Sequence, residues 1–479
     1  MNVTHATETA ATGTGGAAAI PPTRNEHLKW IFSLLCAAVI LAVCVVAGLS
    51  RPACWFFSLT VLAICLWGFS LLPDGLVAVM LPMGYILSGV GTPAQVLSPW
   101  TKPMGWMILG GLMTGLVLQH TGLARRIALW ALHVTGSSFR RLLWGILLAG
   151  FIIAPLMPTS TGKCILLGII CIGICDAMGF KARSREASTL LMAGYLAVAG
   201  PRMGLYTGAG EVTLNLQMLA TAGVHVSWLE YFLQNFAPSV VYSVLSIVVL
   251  RLVMRPKSTV DARVWVEEQY AGLGPMSLRE KKALALFAVL AVLMMTDKWH
   301  GINIGWIMMV VGFVGFLPGF DLVDGKKFAT LNLTSVLFIV GCMSIGAAAQ
   351  ATGMDKSIAR AVLPLLQGKG ELGTVIASFL SGAGLNFLLT PVAAASTFTV
   401  PLAEIAKALG INPLAPAYAF MLGLDQYVLP YEYAAFLYMF STGYINFKDM
   451  VMVFAWRALM ALIVLILVFY PFWKLTGAA

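Results

Sequence analysis

A charged side chain inside an apolar segment is costly, and such residues commonly serve a solute or an ion. Lys163 is the strongest case in this chain. It directly follows Pro158-Thr159-Ser160-Thr161-Gly162 and precedes the apolar run Cys164–Gly173. Pro158 removes a backbone donor and breaks the helix. Lys163 then falls at the start of a half-helix whose N-terminal dipole is also positive. That cation, with the hydroxyls of Thr159, Ser160 and Thr161 and the small Gly162, suits reversible capture of an anion without covalent chemistry. The competing reading is a lysine snorkelling to an interface.

Three further positions could join it. Arg202 follows Gly200-Pro201 and precedes Leu205-Tyr206-Thr207-Gly208-Ala209-Gly210, a small-residue stretch able to close around a carboxylate at Thr207 and Gly208. Asp425 and Glu432 flank Val428-Leu429-Pro430. Either acid could bind a cation, pair with Lys163 or Arg202, or accept a proton, while Gln426 and Tyr427 offer neutral hydrogen bonds. Loops at the membrane surface are the alternative for all three. Glu211 and Asp176 are weaker candidates, each near the end of a span.

Other chemistries fail on spacing. Met157–Cys164 has the outline of a phosphate loop, but Met157 stands where Gly is required and Cys164 where Ser or Thr is. The six histidines (His5, His27, His120, His133, His225, His300) show no metal-ligand spacing. The eight cysteines form no CxxC pair and read as buried free thiols. No GxSxG is present, and no nucleophile and base stand out for an intramembrane enzyme.

The elements that position these residues must lie in a bilayer. The chain is 59% hydrophobic and 10% charged, against about 25% charged in a soluble domain. Apolar runs long enough to span hydrocarbon occur at Trp30–Leu49, Cys54–Leu72, Leu142–Pro158, Tyr231–Val253, Ala283–Thr296, Ile302–Phe320 and Val451–Phe472. With shorter interrupted stretches, about ten to twelve spans are expected. The net charge of +10 is concentrated between apolar runs, at Arg125, Arg126, Arg140 and Arg141 and again across Arg255–Lys282. Short basic loops stay cytoplasmic, so this is a topology signal rather than a nucleic-acid surface.

The chain also repeats itself. Ile108–Ala128 and Ile339–Ala359 share 8 of 21 residues at an offset of 231, and both turn at Gln-x-Thr-Gly. Each predicts a helical hairpin with a polar tip kept away from lipid. The same offset sets Pro155–Lys163 against Asn386–Ala394, so Thr159 falls on Thr390 and Ser160 on Pro391. Broken helices at equivalent positions point to a transport site. The expected division is a disordered cytoplasmic tail over 1–28 and a first transmembrane half over 29–254, with hairpin 105–135 and broken helix 142–180. A charged cytoplasmic linker over 255–282 leads to a second half over 283–479, with hairpin 333–366 and broken helix 371–408.

These residues resemble a known family. LGGLMTGLVLQHTGLARRIAL (109–129) is similar to the hairpin signature of the divalent anion:sodium symporter family. Ala154-Pro155-Leu156-Met157-Pro158-Thr159-Ser160-Thr161-Gly162-Lys163 resembles the Ala-Pro-x-x-Pro-Ser-Asn-Thr-Ala-Arg form of its citrate and 2-oxoglutarate exchanger branch. The resemblance implies an all-α polytopic membrane protein of two inverted repeats, each with a re-entrant hairpin and a broken helix. It further implies alternating-access transport of di- or tricarboxylates across a bacterial inner membrane by a homodimer. The family's Ser-Asn-Thr motifs, which contact substrate and help to hold sodium, fall on Thr159, Ser160 and Thr161, and on Leu389, Thr390 and Pro391. Both asparagines are replaced here, so sodium, the one candidate coupling ion, would sit near Thr159, Thr161 and Thr390 without its usual ligands. The implied expectation is carboxylate exchange with Lys163 as the fixed cation, and sodium symport second. A cation/proton antiporter or a sulfate- or metalloid-type permease on the related ion-transporter fold is the alternative within transport.

Overall fold

The computed structural model describes residues 24–479, apart from 70, 137, 158, 257–260, 356, 358–362 and 365–367. The expected tail therefore lies outside the described residues up to 23, and helix α1 (Arg24–Val46) already occupies its last positions. Pro158 and part of the hairpin expected at 333–366 are outside them as well.

The first half continues with α2 (Arg51–Gly68), α3 (Asp74–Leu87), α4 (Pro103–His120), α5 (Leu123–Thr135), α6 (Phe139–Ile153), α7 (Ser160–Ala177), α8 (Arg185–Arg202), α9 (Gly210–Thr221) and α10 (Trp228–Met254). The linker holds α11 (Arg263–Ala271). The second half contains α12 (Leu278–Met295), α13 (Ile304–Val314), α14 (Leu333–Thr352), α15 (Gly370–Leu385), α16 (Pro391–Ala408), α17 (Leu414–Leu424), α18 (Ala434–Ser441) and α19 (Phe447–Thr476). The protein is an all-α polytopic membrane protein of two inverted repeats.

Among the described residues, six helices are long and apolar enough to cross a membrane, or seven with the bent pair α4–α5 counted as one. Beside them stand the shorter apolar helices α3, α13 and α17. The α4–α5 pair bends by 64°. Its turn is made at Gly122 (φ 78°), and Gly353 (φ 70°) follows α14 at the equivalent place. A side chain is strained in that left-handed region and glycine is not.

The offset of 231 holds in three dimensions. Shifted by 231, the bounds of α7 coincide with those of α16, and α4 and α6 fall within one residue of α14 and α15. The packing is reciprocal too. A Cβ on Gly110 of α4 would lie 2.5 Å from Met309 N of α13, and one on Gly341 of α14 would lie 2.2 Å from Ala78 O of α3. Gly341 is Gly110 shifted by 231, and Ala78 is Met309 shifted back. Each hairpin's first helix therefore docks on the other repeat through a glycine, the close backbone approach that small residues permit between membrane helices.

The linker is fastened to the first hairpin. Arg126 in α5 donates to Glu280 at 2.5 Å and to the carbonyls of Leu273 and Gly274 at 3.1 and 3.0 Å. Ser277 and Glu280 cap α12 reciprocally. Burial pushes the Glu280 carboxyl up, and the Arg126 guanidinium with the Ser277 donors more than reverses this, holding it below its ordinary range.

Candidate functional site

Each repeat contains a helix broken at the same place. Thr159 is the N-cap of α7, in extended backbone and without a side-chain cap bond. Its equivalent, Thr390, caps α16 by accepting from Ala393 N at 3.3 Å, with Pro391 at the first helical position. Ser160 opens α7, is buried, and accepts a hydrogen bond from Arg202 Nη1 at 3.2 Å. Lys163 follows on the same face of the first turn. It is 1% exposed, and its Nζ donates to Gly208 O at 2.5 Å.

Gly208 lies in a second break, between α8 and α9. A Cβ there would come within 2.4 Å of Arg202 O, so only glycine lets this loop close over Arg202. Another break, between α17 and α18 in the second half, supplies Asp425, Tyr427 and Tyr433. Arg202 is fully buried and joins the two breaks. It forms ion pairs with Glu211 and Asp425, and donates to the Tyr433 hydroxyl at 2.8 Å and the Tyr427 hydroxyl at 3.2 Å. Its guanidinium lies 4.8 Å from the Tyr433 ring centroid, and the Tyr427 and Tyr433 rings stack at 4.7 Å.

Asp425 is held from several sides. Besides Arg202 it pairs with Arg457 from α19 and accepts from Tyr242 of α10 at 2.9 Å, while Arg457 Nη1 reaches Asp425 O at 2.9 Å. Gln426 donates to the Tyr242 hydroxyl at 3.0 Å and to Leu422 O at 2.7 Å. Two arginines and two carboxylates thus neutralise one another within the buried core. Lys163 is different: among the described residues no carboxylate lies within ion-pair distance of it. Lys163 is thus a buried basic group outside the ion-pair network.

The structure brings Ser160, Lys163, Arg202, Gly208 and Asp425 together. Thr207 is buried nearby, but its hydroxyl accepts from Trp228 Nε1 at 3.3 Å. Glu432 turns away from the cluster and caps its own turn, accepting from Val428 N at 2.9 Å and Leu429 N at 3.2 Å. Thr159 is half-buried and Thr161 exposed, and no hydrogen bond among the described residues joins Thr390 to Ser160 or Lys163. Sequence reasoning missed Arg457, although a lone arginine inside the run Val451–Phe472 was signal enough. It undervalued Glu211, and nothing marked Tyr242 or Tyr433.

The transmembrane-region model of the sodium:sulfate symporters matches residues 24–478. A sodium-dependent dicarboxylate transporter, SdcS of Staphylococcus aureus, is 24% identical over 431 residues, covering 84% of this chain and 81% of that protein. A membrane protein of Cupriavidus necator is 23% identical over 411 residues, covering 81% and 80%. The YdaH transporter of Alcanivorax borkumensis, whose crystal structure has an unusual topology, superposes with a TM-score of 0.54 at 16% identity over 89% of this chain and 99% of that one, a likeness of fold alone. Broken helices at the repeat interface, an unneutralised buried lysine and a family match over nearly the whole length agree: the chain belongs to the sodium:sulfate symporter family and is a multi-pass membrane transporter of anions, not an enzyme.

Proposed function

We propose that this protein exchanges small dianions, dicarboxylates first among them, with Lys163 taking one carboxylate of the substrate. The observation that supports this most directly is the buried Lys163 ammonium. It sits in the first turn of a broken helix with a backbone carbonyl as its bonded partner and no carboxylate in ion-pair range. In this reading Ser160 and the N-terminus of α7 complete the seat from one repeat. Thr390 and the N-terminus of α16 approach from the other, and Thr159, Thr161 and Gly162 line the approach. Exchange is favoured over coupling to sodium because a fixed cation already supplies the charge that sodium would bring.

The second reading is sodium-coupled symport, with sodium near Thr159, Thr161 and Thr390. The dicarboxylate relative described as sodium-dependent supports it, and sulfate is the inorganic substrate to test beside it. A cation/proton antiporter gains less support, since Asp425 is engaged by two arginines and Glu432 by its own backbone. The assembly proposed is a homodimer in a bacterial inner membrane, in keeping with the family resemblance and the bacterial relatives.

The test is counterflow of labelled succinate, citrate, 2-oxoglutarate and sulfate in proteoliposomes, with and without sodium, for the wild type and Lys163→Ala. Sodium-independent exchange that is lost in Lys163→Ala is the expected result. Flux that strictly requires sodium would establish symport instead, and no flux of any of the four anions would overturn the substrate class.

A further inference from the structure

We infer that Glu211 is the built-in counter-ion of the unloaded carrier: it lets the site cross the membrane without substrate, and so sets how much net transport accompanies exchange. This rests on the anion seat proposed above and extends it to the return step of the cycle.

The geometry singles out Glu211 from the other buried acids. Its carboxylate lies in the first turn of α9, where the helix dipole favours negative charge. Both of its donors, Arg202 Nη1 and the Tyr433 hydroxyl at 2.8 Å, meet one oxygen, Oε1. The same Arg202 nitrogen donates to Ser160 Oγ, in the helix turn that presents Lys163. Glu211 therefore already occupies donors that a substrate carboxylate held at Ser160 and Lys163 would also use. Asp425 is unsuited to that part, being fastened by two arginines and Tyr242. Arg202 Nε is buried with no acceptor, so the guanidinium retains a donor that neither acid uses.

Charge accounts for the consequence. Lys163, Arg202 and Arg457 face Glu211 and Asp425, which leaves one positive charge on the unloaded site and one negative charge once a dianion is seated. Glu432 stays outside this tally because its oxygens serve the backbone of its own turn. Without the Glu211 carboxylate the unloaded site would hold two positive charges and the loaded site none. Charge at membrane depth is costly, so removing Glu211 penalises the unloaded crossing and favours the loaded one. It also frees Arg202 for the substrate.

The experiment compares Glu211→Gln with the wild type in proteoliposomes loaded with labelled succinate, and in parallel with labelled sulfate. Vesicles are diluted into medium with unlabelled substrate, which reads exchange, or without it, which reads net efflux. For Glu211→Gln the ratio of net efflux to exchange falls at least about tenfold, one decade for each 1.4 kcal/mol of added barrier, and the KM for exchange falls. A structural role alone would weaken both fluxes together and would raise KM. Should Glu211→Gln fail to fold, Glu211→Met tests the same point: it removes the carboxylate charge without leaving a buried amide and gives the same fall in the ratio. An unchanged ratio in the folded variant overturns the inference while leaving the anion seat intact. Absence of wild-type counterflow overturns the seat first, and the inference with it.

Discussion

Asp425→Asn is the sharpest test of the buried network. Asp425 is fully buried and is paired with both Arg202 and Arg457. The amide keeps the size of the side chain and removes its charge. Arg202 retains Glu211, but Arg457 loses its one ion pair among the described residues and keeps the bond to the backbone carbonyl of residue 425 and its ring contacts with Tyr242 and Phe454. Removing one partner of a buried pair costs roughly 3–5 kcal/mol, because the other charge is left uncompensated. The altered hydrogen bond to Tyr242 adds less, since side-chain hydrogen bonds between membrane helices average about 0.6 kcal/mol. The expected loss is therefore about 3–5 kcal/mol. It can be read from titration of mixed micelles with a denaturing detergent, followed by tryptophan fluorescence. In Asp425→Asn/Arg457→Met both charges leave together, and most of the loss should return, as replacing a buried pair with apolar groups is often neutral. Two results would refute this reasoning: Asp425→Asn within about 1 kcal/mol of the wild type, or a double variant no more stable than the single one.

Three further outcomes are expected. Lys163→Ala loses the proposed charged partner of the substrate, worth at least about 2 kcal/mol, so counterflow should fall about thirtyfold or more; a folded variant with wild-type flux would remove Lys163 from the site. Gly208→Ala sets a Cβ 2.4 Å from Arg202 O, so the α8–α9 break must shift; stability should drop by about 1–3 kcal/mol and exchange should be lost, as thermal unfolding and counterflow would report. Arg126→Gln unfastens the linker from the hairpin and leaves Glu280 underpaired at a cost of about 1–3 kcal/mol, so limited proteolysis within 255–282 should accelerate. The pH dependence of that fastening follows from the lowered Glu280 carboxyl. Its contribution is complete above the unfolded value of about 4.3 and is lost only as pH falls through the lower folded value. Linker protection in the wild type should thus be equal at pH 7 and pH 5 and weaken only in stronger acid; loss of protection already by pH 5 would contradict it.

Much of this protein was legible in one dimension because the deciding physics is local. Hydrophobic run length names the solvent, and Pro and Gly name the breaks. The repeat showed in Gly110 and Gly341, which proved to be the positions where each repeat docks on the other. Thr159 and Thr390 were readable as equivalent helix starts for the same reason, since an N-cap depends on its own turn. Lys163 was readable too, because a lysine after a helix break in an apolar run is anomalous without any structure.

The pairing of the charges was another matter. Arg202 meets Asp425 across 223 residues and Glu211 across 9, while Arg457 reaches Asp425 across 32. No spacing rule links those positions: Arg202 meets Asp425 only when the two halves dock, and the pairs Arg202–Glu211 and Arg457–Asp425 form only when each half folds its own break against a helix. Glu432 is spent on the backbone of its own turn and Thr161 is exposed, though by type both suited the site. Residue type and local hydropathy thus determined which groups are costly enough to need a purpose. Only tertiary packing decided which of them neutralise one another, and left Lys163, the group proposed here to take an anion, outside those pairs.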